Sequence, residues 1–163
     1  MIRRILITAG AIALLGAPLK AQTGLPLGAS APDASVETVD GKPARLAQYV
    51  AKGKPTLIEF WATWCPNCKA LEPQMSAAAK KYAGKVAMVG VAVGVNQSAE
   101  LVKRYATKHS LPLTVVYDRT GDAADKYDVP ATSYIIVLDR TGKVVYTGVG
   151  SDQNIDAAIR RAL

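Results

Sequence analysis

Apolar positions come in runs whose period changes along the chain, and each change marks a new element. Residues 57–61, Leu-Ile-Glu-Phe-Trp, form a short apolar run broken by one acid and read as a buried strand. Residues 86–93 are continuously apolar, as a strand covered on both faces is. Residues 113–117, 133–138 and 144–148 also read as strands, the last two joined as a hairpin through Asp139-Arg-Thr-Gly-Lys. Residues 34–39 alternate with period two, and Asp40-Gly41 follows as a hairpin turn. Elsewhere the spacing is helical. Leu71, Met75, Ala78, Ala79 and Tyr82 share one face of a predicted helix over 65–82, with Pro73 expected to kink it and Gly84 to close it. Ser98 is the predicted N-cap of a helix over 99–108, whose Leu101, Val102 and Tyr105 fall on one face. Residues 121–127 read as a short helical turn, and Asp152 as the cap of a last helix running to 163.

Strands alternating with helices predict an α/β protein with helices on both faces of its sheet. The closing hairpin makes that sheet mixed, not wholly parallel. Residues 1–22 are set apart by pattern. Arg3 and Arg4 precede an uncharged apolar stretch over 5–15 and then Gly16-Ala-Pro-Leu-Lys-Ala. This reads as a signal peptide cut after Ala21, or a retained membrane anchor, and either is expected to place the domain outside the cytoplasm. No cysteine follows it, so lipoprotein anchoring is excluded. Residues 23–33, rich in Gly, Pro and Ala, read as a linker, leaving 34–163 as one domain.

Composition narrows the function. The chain has 163 residues, 50% hydrophobic and 20% charged, which suits one compact domain with a real core. Its formal charge is +7, but Arg3, Arg4 and Lys20 lie in the leader, leaving 17 basic against 13 acidic residues. That excess, without basic runs or interleaved aromatics, is no nucleic-acid footprint. Cys65 and Cys68 are the only cysteines. A four-residue loop constrains an unfolded chain little, so the pair serves better as a reversible switch than as a staple. Zinc wants four ligands, and the chain has a single histidine. Haem attachment wants a histidine after the second cysteine, where Lys69 stands. A Cys-x-x-Cys pair opening a helix puts both sulfurs on one face, within disulfide reach. The helix N-terminus supplies free N–H groups and partial positive charge that stabilise a thiolate, and Pro66 suits an early helical position. Cys65 is therefore expected to be the exposed attacking thiolate and Cys68 its resolving partner.

Trp61-Ala-Thr-Trp-Cys-Pro-Asn-Cys-Lys resembles the active-site segment of the thioredoxin superfamily, most closely in its extracytoplasmic TlpA/ResA/CcmG branch. Ala44-Arg-Leu-Ala-Gln-Tyr resembles the segment that ends that branch's N-terminal hairpin. The 61 residues between Cys68 and Pro130 leave room for the branch's extra strand–helix unit. The resemblance implies a thioredoxin-like fold and a thiol–disulfide oxidoreductase without cofactor or metal. It implies protein substrates with disulfides, a role in cytochrome c maturation or metal-site assembly, and a membrane thiol–disulfide electron donor. The chain is expected to be a monomer. Tyr127-Asp-Val-Pro-Ala-Thr-Ser resembles the cis-proline loop that faces the cysteines, which would make Val129 and Pro130 substrate-binding along with Trp64 and Pro66; without the resemblance, Val129-Pro130 reads as an ordinary trans turn before a strand.

Glu59 interrupts the central strand six residues before Cys65, where thioredoxins bury an acid behind the disulfide. The resemblance makes it the acceptor of the Cys68 proton, with a pKa raised by burial. Many thioredoxins pair that acid with a lysine on the next strand, but residues 86–95 contain none, so Glu59 is expected to be unpaired. The competing reading puts it in solvent at a sheet edge. Trp61 and Trp64 read as packing and as a partner-facing surface respectively, with core packing open for both. His109 is expected only to cap helix carbonyls. The alternative function is a copper-carrying assembly module that uses the two thiolates and a further His or Met ligand.

Overall fold

The computed structural model describes residues 24–50 and 53–163. The expected leader lies outside the described residues. Seven strands form one mixed sheet among the described residues: β1 (Ser35–Thr38), β2 (Pro43–Arg45), β3 (Thr56–Trp61), β4 (Ala87–Val93), β5 (Thr114–Asp118), β6 (Tyr134–Leu138) and β7 (Val144–Gly148). Their order is β2-β1-β5-β4-β3-β6-β7. The helices are α1 (Pro66–Lys81), α2 (Ala99–Lys108), α3 (Asp122–Lys126) and α4 (Ile155–Arg160). The expected α/β class and mixed sheet are thus what the chain forms.

β3 is the central strand, and all six of its residues are buried. It pairs in parallel with β4 and antiparallel with β6. The connections β3–α1–β4 and β4–α2–β5 both step the same way across the sheet. Right-handed crossovers then lay α1 and α2 on one face. The return from β5 to β6 crosses β3 and β4, which puts α3 on the other. The packing agrees. Leu57 belongs to a cluster with Leu71 and Met75 of α1 and Ile155 and Ile159 of α4. Ile58 and Phe60, pointing the opposite way, lie in a cluster with Tyr127 and Tyr134, and the Phe60 ring sits 5.3 Å from that of Tyr127.

Local chemistry accounts for most boundaries. Ser98 caps α2 by accepting from the Leu101 N–H at 3.2 Å, as expected. α1 runs through Pro73 without a break. The carbonyl left without its partner belongs to exposed Lys69, where water can serve it. α4 starts later than the pattern suggests: its cap is Asn154, which accepts from the Ala157 N–H at 2.8 Å, and not Asp152. Both side chains can cap, but only Asn154 directly precedes the buried Ile155, whose burial sets the phase of the helix.

The described part of the predicted linker, from Gly24, lies along the β6–β7 hairpin. Gly28 and Ala31 donate to Val144 and Gly142, and the Leu25 N–H donates to Tyr134 Oη at 3.0 Å. The bonds to Val144 and Gly142, with the antiparallel bridge between Ser30 and Lys143, cover the start of the β7 edge, which would otherwise be open to pairing with another chain.

Candidate active site

Cys65 is the N-cap of α1 and forms a disulfide with Cys68, the Cα atoms being 5.3 Å apart. The Cys68 backbone N–H donates to Cys65 Sγ at 3.1 Å, so a first-turn donor that would otherwise lack a partner is aimed at the sulfur. Pro66 follows at the first helical position, as its missing donor allows. The expectation of an exposed Cys65 is corrected: in this oxidised form it is only 2% exposed. Its side chain is folded back over the first turn of α1, where that N–H holds it. Pro66 and Trp64 beside it are exposed, Trp64 by 45%.

Two strand ends bring the rest to the same edge of the sheet. Trp61 pairs with Ala92 at the end of β4, and Phe60 with Tyr134 at the start of β6. The segment after β4 and the loop before β6 therefore both lie where β3 hands over to the cysteines. The β4 segment braces the motif. Gln97 accepts from the Thr63 N–H at 2.9 Å and donates to the Val93 carbonyl at 2.6 Å. The Trp64 indole N–H donates to the Val95 carbonyl at 2.9 Å, which holds the ring beside an exposed Val95. Sequence reasoning missed Gln97 and Val95, because a polar residue in a loop carries no sign of what it holds.

The loop before β6 holds Val129, half-buried and packed against the cluster that contains both cysteines, and an exposed Pro130. The expected cis proline is not found: no peptide bond among the described residues is cis. Most X-Pro bonds favour trans by about 0.5–1 kcal/mol. The loop is turned instead by Asp128 and Ser133, both in the left-handed region with φ of 49° and 65°. Ser133 is held there by its own Oγ, which accepts from the Gly150 N–H at 3.0 Å, and by Gln153, which donates to its carbonyl at 3.0 Å.

Glu59 is 5% exposed, and its Oε1 has no hydrogen-bond partner. Burial, and next the Glu72 carboxylate of α1, push its pKa up to about 8. Its neighbours across the sheet are Gly90 and Ile135, neither of which can pair with it. The sheet-edge reading fails, because β3 is central. The Gly90 position is also tight: a Cβ there would stand 2.9 Å from Trp61 Nε1 and 3.0 Å from Leu113 Cδ1. Trp61 is buried and packs against Tyr105 of α2 at 5.7 Å between ring centroids. His109 does more than end α2. Its ring stacks on Tyr105 at 3.9 Å, and its Nδ1 lies 3.2 Å from Glu72 Oε2.

Among the described residues no group of three or more His, Cys, Asp or Glu side chains could hold a metal ion. The copper-module reading wants a His or Met beside the sulfurs, and the described His, Cys, Asp and Glu side chains supply no third ligand there.

A Cys-x-x-Cys disulfide at a helix N-terminus, directly after a central strand flanked by parallel and antiparallel neighbours, defines a thioredoxin-like thiol–disulfide oxidoreductase. The chain belongs to the Redoxin family, whose model matches residues 26–163. It is 35% identical over 133 residues to the thioredoxin-like protein YneN of Bacillus subtilis, covering 81% of this chain and 76% of that one. To the thiol–disulfide oxidoreductase ResA of the same organism it is 31% identical over 124 residues, covering 76% of this chain and 68% of ResA. Among solved structures it is similar to a thiol:disulfide interchange protein of the thioredoxin family from Chlorobium tepidum. There the TM-score is 0.68 and the identity 28%, covering 83% of this chain and 96% of that one.

Proposed function

We propose that this oxidoreductase works outside the cytoplasm as a reductant of disulfides in protein substrates. The observation that supports it most is the Cys65–Cys68 pair at the start of α1 together with the buried, unpartnered Glu59 on the strand leading into it. In the reduced protein the Cys65 thiolate attacks one sulfur of a substrate disulfide, and the other substrate sulfur leaves as a thiolate. Cys68 then gives its proton to the Glu59 carboxylate and attacks Cys65. The mixed disulfide breaks, the second substrate thiolate leaves, and the Cys65–Cys68 disulfide results. With its pKa pushed up to about 8, Glu59 is mostly protonated at pH 7; its ionised fraction is the acceptor, a base close in strength to the thiol it deprotonates. Trp64, Pro66, Val129 and Pro130 form the face that receives the substrate chain. The leader over 1–22 supports export, and a membrane thiol–disulfide donor would return the pair to its reduced form. ResA carries the name thiol–disulfide oxidoreductase, and the substrates proposed here, cytochrome c or metal-site precursors, follow from likeness to that branch. The test is the reduction potential of the pair against glutathione. A value below about −230 mV supports a reductant, and one near −120 mV would make the chain an oxidant that introduces disulfides.

A further inference from the structure

Cys65 is delivered to α1 by a tight turn. Its N–H donates to the Ala62 carbonyl at 3.1 Å, with Thr63 and Trp64 at the two corners. Both corner residues are tied to one segment, residues 93–97, at the end of β4. Gln97 accepts from the Thr63 N–H at 2.9 Å, and the Trp64 indole N–H donates to the Val95 carbonyl at 2.9 Å. That segment is itself pinned to the sheet. The Gln97 carboxamide donates to the Val93 carbonyl at 2.6 Å, and the Gln97 backbone carbonyl accepts from the Tyr117 hydroxyl at 2.7 Å. Tyr117 lies on β5 and is 3% exposed. Gly94 packs so closely that a Cβ there would stand 2.6 Å from the Arg119 carbonyl oxygen. Contacts therefore run without a gap from β5 through residues 93–97 to the turn before Cys65.

We propose that Gln97 is a positioning residue for disulfide exchange: by holding the turn at Thr63, it keeps Cys65 within reach of Cys68 while the two sulfurs are not bonded to each other. In the oxidised protein the disulfide itself holds Cys65 over the first turn of α1. Once Cys65 carries a substrate sulfur, that bond is gone, and the turn leading into Cys65 must hold it. The bond from Cys65 to Ala62 closes the turn but does not attach it to the sheet. Attachment comes from Gln97 and Trp64, and Trp64 is on the exposed side where a substrate loads. Thr63 is 9% exposed, so an N–H released there would find little water. A carboxamide suits the post because it accepts from one backbone group while donating to another; a carboxylate or an apolar side chain cannot do both. Closure of the Cys65–Cys68 bond is intramolecular, so its rate scales with the effective concentration of Cys68 at Cys65, which a loosened turn lowers. Attack by Cys65 on an outside disulfide needs no such alignment. The proposal rests on the order given for the exchange, Cys65 attacking and Cys68 resolving.

The test is the reaction of the reduced protein with an equimolar aromatic disulfide whose released thiolate is coloured. Cys65 attacks one sulfur and releases the first thiolate in a second-order phase. Cys68 then attacks Cys65, expels the second thiolate and leaves the Cys65–Cys68 disulfide, in a first-order phase that Cys68→Ser lacks. Gln97→Met keeps the length of the side chain and removes both of its hydrogen bonds. It should slow the first-order phase about five-fold or more, and change the second-order rate by less than about two-fold. Asn154→Ala, which removes the cap of α4 instead, should lower stability but leave both phases at wild-type rates. An unchanged first-order phase in Gln97→Met, or equal slowing in Asn154→Ala, overturns the proposal. A wild type with no first-order phase would defeat the resolving role of Cys68 itself, and this proposal with it. Amide exchange in the wild type decides the matter whether or not a variant folds: the Thr63 N–H should stay protected in the reduced protein, and free exchange there overturns the clamp.

Discussion

Burying Glu59 without a partner should cost stability in a way that only pH reveals. Its carboxyl titrates at about 8 in the folded protein, against 4.5 for an ordinary glutamate. Between these values the folded chain holds a proton that the unfolded chain has lost. The unfolded state therefore binds fewer protons, and unfolding becomes easier as pH rises. Below pH 4.5 both states are protonated and the effect is absent; it grows through neutrality and is complete above pH 8. One proton held by the folded chain alone is worth about 1.4 kcal/mol for each pH unit crossed, so the loss accrued between pH 5 and pH 8 is on the order of 3 kcal/mol. That is a large share of the roughly 5–15 kcal/mol by which a domain is usually stable. Glu59→Gln keeps the shape and removes the titration. Urea unfolding of the oxidised wild type and variant, at one-unit steps from pH 5 to 8, separates the two. All other ionisable groups are shared, so the difference in unfolding free energy isolates Glu59. The variant should gain on the wild type steadily over this range, by a total of about 3 kcal/mol. A difference that stays flat with pH would mean that Glu59 titrates normally and that burial does not govern it.

Two other substitutions probe the frame of the site. Gly90→Ala drives a methyl group to 2.9 Å from Trp61 Nε1, so the indole must shift. A loss of about 1–3 kcal/mol in urea unfolding is expected, with a changed tryptophan fluorescence spectrum; an unchanged spectrum would contradict that packing. Trp64→Ala removes a ring that is 45% exposed and held by one hydrogen bond to Val95. Stability should change by less than about 1 kcal/mol. The KM for a protein disulfide should rise several-fold, while the rate with a small disulfide stays near that of the wild type. Equal losses on both substrates would place Trp64 in the scaffold.

What the sequence reveals is what is local. The apolar run around Glu59, the cysteine pair opening a helix and the cap at Ser98 each depend on residues within a turn or two, and each appears where the pattern puts it. The absence of lysine from residues 86–95 is enough to imply an unpaired Glu59, because the neighbouring strand is fixed once the βαβ unit is recognised. Contacts between distant segments stay hidden. Glu72 reads as a solvated helix residue, and nothing in its neighbourhood points to Tyr105, 33 residues away. Gln97 is likewise silent until Thr63 is placed beside it. The segment from Gly24 has a linker's composition but finds partners on a hairpin more than 100 residues on. The expected isomer at Val129-Pro130 follows a resemblance, whereas the loop is turned at Asp128 and Ser133, whose left-handed conformations no pattern announces.

The division of labour between the two sulfurs is what the proposed chemistry turns on, and trapping tests it most directly. Reduced Cys68→Ser, mixed with a disulfide-containing protein, should accumulate a mixed disulfide through Cys65 that mass spectrometry resolves, while Cys65→Ser should accumulate none. Failure of Cys68→Ser to capture any substrate, or capture by Cys65→Ser through Cys68 instead, would contradict that division.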